Sequence, residues 1–145
     1  MRKLTVDVIS ALFVLLWVYA ALSKITDFDK FKVQLGQSPL LTAFATWVAW
    51  IIPTVEILLA VLLAIPRTRL PALYASFSLM VMFTAYIVAI TQFSEYIPCS
   101  CGGILQHMSW NAHLVFNLLF VGLALTAIIL FLNPGIKHNT ATIKT

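Results

Sequence analysis

Four long apolar runs, residues 4–23, 41–65, 71–93 and 112–132, alternate with short polar stretches along the chain. At about 20 residues each, they are long enough as helices to cross a hydrocarbon core of about 30 Å. The runs are continuous rather than alternating between apolar and polar positions, which favours helices over strands. Asn133-Pro134-Gly135 closes the fourth run with a strong helix stop. The pattern predicts an all-α, polytopic membrane protein built as a bundle of four transmembrane helices. No internal repeat and no linker-like stretch interrupts it, so residues 1–145 are expected to form a single membrane domain. The polar stretch after the first run carries a weaker pattern. Thr26-Asp27-Phe28-Asp29 has the form of a capping box. Phe28, Phe31 and Leu35 then fall on one helical face, with Asp29, Lys30 and Lys32 elsewhere. This predicts a short interfacial helix between spans one and two, ended by Gly36 and Ser38-Pro39.

Composition narrows the class. Of 145 residues, 61% are hydrophobic and 10% charged, and the mean hydropathy is +0.99. An average soluble domain carries about 25% charge. A water-soluble core of this size does not bury so much apolar surface. That excludes an ordinary soluble enzyme, a disordered chain, a coiled coil and a disulfide-stapled mini-protein. In this setting the net charge of +4 reports membrane topology rather than nucleic-acid binding. Arg2, Lys3, Arg67, Arg69, Lys137 and Lys144 fall on one side of the four spans. Lys24, Lys30 and Lys32 fall on the other, offset by Asp27, Asp29 and Glu95. The positive-inside rule then puts both termini in the cytoplasm and segments 24–40 and 94–111 outside it. Arg2-Lys3 and Val18-Tyr19-Ala20 give the first run some likeness to a signal peptide. It is long for a signal-peptide apolar region and is read as a span.

The outer segment between spans three and four holds the two cysteines, Cys99 and Cys101, one residue apart. Outside the cytoplasm disulfides persist. Alternate residues of an extended or turned chain have Cα atoms roughly 5.5–7 Å apart, against the 4.4–6.8 Å that a disulfide accepts. A Cys-x-Cys bond is therefore tight, and strain in the oxidised form favours reduction. Pro98 stiffens one flank and Gly102-Gly103 loosen the other. Closing so short a loop removes little unfolded-state entropy, so the pattern suits an exchangeable bond better than a staple. Two alternatives stay open. Cys99, Cys101, His107 and His113 include soft ligands for Cu(I) or Zn²⁺, and the pair could also be an inert disulfide or two idle thiols.

Several polar residues lie within the spans. Glu56 sits near the middle of span two, three residues after Pro53. A carboxyl at that depth is expensive unless paired or protonated. It is expected either to handle protons, or touch a quinone head group, or to fasten the bundle. Lys24 ends span one and is expected to snorkel outward or to sit near a thiol. His113 and Asn117 are one turn apart at the start of span four, and Tyr86 and Gln92 occupy the outer half of span three. If these face inward, a quinone could dock beneath the cysteines with its ring between aromatics. No covalently bound cofactor is expected. Asp7 is expected to pair with Arg2 or Lys3. Trp17, Trp47, Trp50 and Trp110 are read first as interfacial belt residues.

Three stretches resemble the DoxX/MauE-like family of small four-helix membrane proteins. They are Ala21-Leu-Ser-Lys24-Ile-Thr-Asp27-Phe with Gln37-Ser-Pro39-Leu, Pro53-Thr-Val-Glu56-Ile-Leu-Leu-Ala, and Cys99-Ser-Cys101-Gly102-Gly with Trp110 and Asn117 downstream. The third points to the MauE branch, although that family's more usual Cys-x-Cys-Phe-Gly reads Cys-Ser-Cys-Gly-Gly here. The resemblance implies a bacterial inner-membrane, multi-pass protein associated with maturation of methylamine dehydrogenase, where disulfides form in the periplasm. Together with the residues it yields a functional expectation. Cys99 and Cys101 would be the catalytic pair of a membrane thiol–disulfide redox protein, passing electrons to a quinone, with Glu56, His113, Asn117, Tyr86 and Lys24 as proton or quinone contacts. The expected partners are the lipid bilayer and an extracytoplasmic thiol protein or a larger membrane complex, and no nucleic acid. The alternatives are a non-catalytic subunit or assembly factor, and copper or zinc handling.

Overall fold

A computed structural model describes residues 1–38, 40–93 and 108–133. Among these, the long helices are α1 (Arg2–Thr26), α3 (Ala45–Ala64), α4 (Arg69–Phe93) and α5 (Trp110–Leu132), with a shorter α2 (Phe28–Gln37) between α1 and α3. All four long segments are apolar and long enough to cross a membrane, the second including a single 3₁₀ turn (Thr42–Phe44) ahead of α3. The expected architecture is therefore present. The helices begin and end a few residues away from the apolar runs, because helix continues into polar residues such as Arg2, Thr26 and Arg69.

The ends have identifiable causes. Ser109 caps α5, its hydroxyl accepting from the backbone N–H of Ala112 at 3.2 Å. The turn between α3 and α4 is closed by Thr68, whose hydroxyl donates to the Leu62 carbonyl at 2.8 Å, and by Arg69 Nε, which donates to the Leu63 carbonyl at 3.3 Å. These donors satisfy carbonyls that the end of α3 leaves open. Between α1 and α2 the expected capping box does not form. The Thr26 hydroxyl donates back to the Leu22 carbonyl at 2.8 Å, inside α1, and Asp27 precedes α2 without a side-chain cap. The face expected for α2 is present, with Phe31 and Leu35 buried and Asp29, Lys30 and Lys32 exposed. Phe28 meets Trp50 of α3 at a ring separation of 4.6 Å, which holds α2 against α3.

Pro53 lies buried inside a helix that runs on past it. Proline has no N–H, so the Ala49 carbonyl loses its helical donor there. α1 packs chiefly on α3, and α4 chiefly on α5, while α1–α5 and α3–α4 contacts close the ring. Phe13, Trp17, Leu63, Leu73 and Met80 form the heart of the core with Ala124 and Ala127 of α5. Phe13 meets Phe120 edge to face at 5.1 Å, a favoured aromatic geometry. Trp17 is not a belt residue. It is almost wholly buried, and its indole N–H donates to the Ser76 hydroxyl at 3.0 Å. Trp47 and Trp50 are exposed, as belt residues would be.

The two ends of the bundle differ in chemistry. At one end Arg2 donates to the Asn133 carbonyl at 2.9 Å, joining the start of α1 to the end of α5. Asp7 pairs there with Arg69 of α4 rather than with Arg2 or Lys3. Lys3 lies one helical turn before Asp7 on the same side of α1, but the packing of α4 against α1 brings the Arg69 guanidinium to that carboxylate. Lys24 and the whole of α2 lie at the opposite end.

Candidate functional site

At the α2 end the four long helices do not close on each other, and a cavity of about 340 Å³ remains. Every helix contributes to it. α1 supplies Trp17, Ala20 and Lys24, α2 supplies Phe31 and Leu35, and α3 supplies Val48, Ile52 and Glu56. α4 adds Met80, Phe83 and Tyr86, and the first turns of α5 add Trp110, His113, Phe116 and Asn117. The walls are mostly apolar and rich in aromatic rings. Ligand pockets of about 300–1,000 Å³ are typically apolar with a few placed polar groups, and this cavity lies at the small end of that range.

Lys24 does not snorkel. Its ammonium turns inward and donates to Glu56 Oε1 at 2.8 Å and to the Ala20 carbonyl at 3.3 Å. It also lies 5.8 Å from the centre of the Phe31 ring, within cation–π range. The Glu56 side chain is 0% exposed and that of Lys24 13%. The lysine thus neutralises a carboxylate that would otherwise stand alone among apolar side chains. Only Oε1 of Glu56 is used, and Oε2 has no partner among the described residues. The same is true of Asn117 Nδ2 and His113 Nδ1. An unmade hydrogen bond at a buried group costs about 1–3 kcal/mol. Three such atoms on residues lining one cavity fit a bound polar group better than they fit a purely structural core.

The remaining expected residues divide. His113 and Asn117 line the cavity together, one turn apart on α5, and His113 lies against the Trp110 ring at 6.4 Å. Tyr86 also lines it, and its hydroxyl donates to the buried Ser38 hydroxyl at 2.8 Å, tying α4 to the end of α2. Gln92 is exposed and takes no part. Cys99, Cys101 and His107 lie outside the described residues. Among the described residues there is no cluster of three or more His, Cys, Asp or Glu that could hold a metal. Sequence reasoning passed over Phe31 and Leu35 as site residues and read Trp17 first as a belt residue. Phe31 and Leu35 were legible as a buried face of α2, but nothing along the chain says that this face covers a cavity.

A family model described as Methylamine utilisation protein MauE matches residues 2–130. The chain belongs to the MauE family. The match takes in α1 to α4, all but the last two residues of α5, and all the cavity residues named above. No curated protein and no solved structure gave a significant match.

Proposed function

We propose that this MauE-family protein is a membrane thiol–disulfide redox protein that works through Cys99 and Cys101 and passes electrons to a membrane quinone. The observation that carries this reading is the position of the cavity. Its α4 and α5 walls include Tyr86, about two turns before the end of α4 at Phe93, and Trp110 and His113 in the first turn of α5. The segment bearing the cysteines joins those two helix ends. A partner thiolate attacks the Cys99–Cys101 disulfide, forming a mixed disulfide, and the partner's second thiol resolves it. The partner is oxidised and Cys99 and Cys101 become a dithiol. A quinone supplies a two-electron, two-proton acceptor for re-forming the disulfide. The chain's own contribution is an apolar, ring-lined space that excludes water, with Lys24, Glu56, His113 and Asn117 to orient a polar head group. The protein is placed in this reading as a single domain in a bacterial inner membrane with both termini cytoplasmic. The gathering of Arg2 and Arg69 at the end opposite the cavity supports that orientation.

Family membership supports a second reading, in which the protein is an accessory of methylamine utilisation acting within a larger membrane assembly. Alkylation trapping in intact cells separates the two. Under the redox reading, Cys99 and Cys101 cycle between thiol and disulfide, and Cys101→Ser accumulates a persistent mixed disulfide with a partner. Redox titration should give a potential of roughly −150 to −220 mV, the range of catalytic oxidases. A potential below about −300 mV, or no thiol–disulfide transition, overturns the redox reading. Retained function in Cys99→Ser/Cys101→Ser, with a stoichiometric partner copurifying, establishes the accessory reading instead.

A further inference from the structure

The cavity's chemistry narrows what it can hold. Lys24 and Glu56 already balance each other, so a charged ligand would upset the pair. A hydrocarbon tail would leave Glu56 Oε2 and Asn117 Nδ2 without partners, although these side chains belong to residues only 0% and 3% exposed. A sugar would need many more polar groups than these walls supply. What fits is a neutral ring system of one or two rings that carries both a hydrogen-bond acceptor and a donor.

We infer that the cavity holds a quinone head group in both of its redox states, and that Asn117 and Glu56 determine which ligand is accepted. Asn117 Nδ2 donates to a carbonyl oxygen of the oxidised form, and Glu56 Oε2 accepts from a hydroxyl of the reduced form. This rests on the redox reading and adds the contacts that select the acceptor. The exchange balances. The two thiols of Cys99 and Cys101 lose two electrons and two protons on closing to a disulfide, and the quinone gains both on becoming the quinol. The aromatic side chains of Trp17, Phe83 and Phe116 line the same space and suit a flat ring.

The structure supplies an optical readout independent of turnover. Two of the four tryptophans, Trp17 and Trp110, line the cavity, and the other two, Trp47 and Trp50, are exposed and do not. Protein carrying Trp47→Phe, Trp50→Phe, Cys99→Ser and Cys101→Ser retains only cavity emitters and no thiols. Titrated in detergent micelles with menadione or decylubiquinone, it should show saturable quenching. Asn117→Leu in that background should weaken binding roughly tenfold, as loss of one buried hydrogen bond does, while Asn117→Gln should restore most of it. Glu56→Gln, a neutral acceptor in place of a charged one, should weaken the reduced ligand more than the oxidised one. Circular dichroism and gel filtration confirm folding, and the Asn117→Gln and Glu56→Gln arms decide the matter if Asn117→Leu does not fold. Quenching that rises linearly without saturation, equal affinity in a folded Asn117→Leu, or equal loss of both redox forms in Glu56→Gln overturns the inference. Because the titration is done without cysteines, its failure leaves the thiol chemistry standing, and failure of the thiol titration leaves the binding result standing.

Discussion

Replacing Lys24 by methionine keeps the apolar stem of the side chain and removes the charge that faces Glu56. Glu56 is fully buried, and its one polar partner among the described residues is Lys24. Breaking a buried pair from one side costs about 3–5 kcal/mol, because the remaining charge is left alone. The penalty for Lys24→Met should therefore be about 3–5 kcal/mol. Glu56→Leu should cost less, because Lys24 retains 13% exposure at the end of α1 and can turn outward. The double variant Lys24→Met/Glu56→Leu should lie within about 1 kcal/mol of wild type, since well-packed apolar replacements of buried pairs are often neutral. Unfolding by SDS in mixed micelles, followed by circular dichroism, closes the double-mutant cycle. A Lys24→Met penalty under about 1 kcal/mol, or a double variant no more stable than Lys24→Met alone, would refute the buried pair as the origin of the effect.

Three further predictions rest on other features. Trp17→Phe and Ser76→Ala should each destabilise the bundle and show a coupling of about 1 kcal/mol in the double-mutant cycle, the worth of one buried hydrogen bond; additive losses would mean that the 3.0 Å contact contributes nothing. Asp7→Asn should cost under about 1 kcal/mol in the same assay, because the Asp7 side chain is 41% exposed and exposed pairs are weak; a loss of several kcal/mol would contradict that. A membrane-impermeant maleimide should label reduced Cys99 and Cys101 from outside intact spheroplasts, and labelling only after permeabilisation would reverse the orientation.

The four spans were legible because an apolar run of bilayer length has few other meanings. Glu56 and Lys24 were each conspicuous alone, as charges in or beside apolar runs. Their pairing was not legible. They are 32 positions apart, and only the packing of α1 on α3 brings them together. Taken alone, Lys24 at a helix end favours the outward path or a place near a thiol. Asp7 went astray for a related reason. Arg2 and Lys3 are near in sequence, whereas Arg69 becomes near only when α4 packs into the bundle. Trp17 was read by residue type, since tryptophan often marks an interface, but Ser76 offered its N–H a partner in the interior. His113 and Asn117 were legible as neighbours because one turn of helix fixes their relation without any tertiary knowledge. The cavity itself could not be read from the chain, since its walls come from five separate helices.

The union of Lys24 with Glu56 also has a bearing on biogenesis. The two residues enter the bilayer on different helices and at different moments of synthesis. A charged residue near the centre of an inserting helix costs about 2.5–3.5 kcal/mol, and α3 carries its carboxyl in before any contact within its own segment can offset it. The strongly apolar remainder of the Thr42–Ala64 span makes that insertion tolerable. The offset comes only when α3 lies against α1, which was synthesised earlier and presents the ammonium at matching depth. Docking of the first helix pair is thus rewarded electrostatically before α4 and α5 exist. A nascent chain whose α3 entered at the wrong depth or turned the wrong face to α1 would forgo that reward, so the pair acts as a register check during assembly.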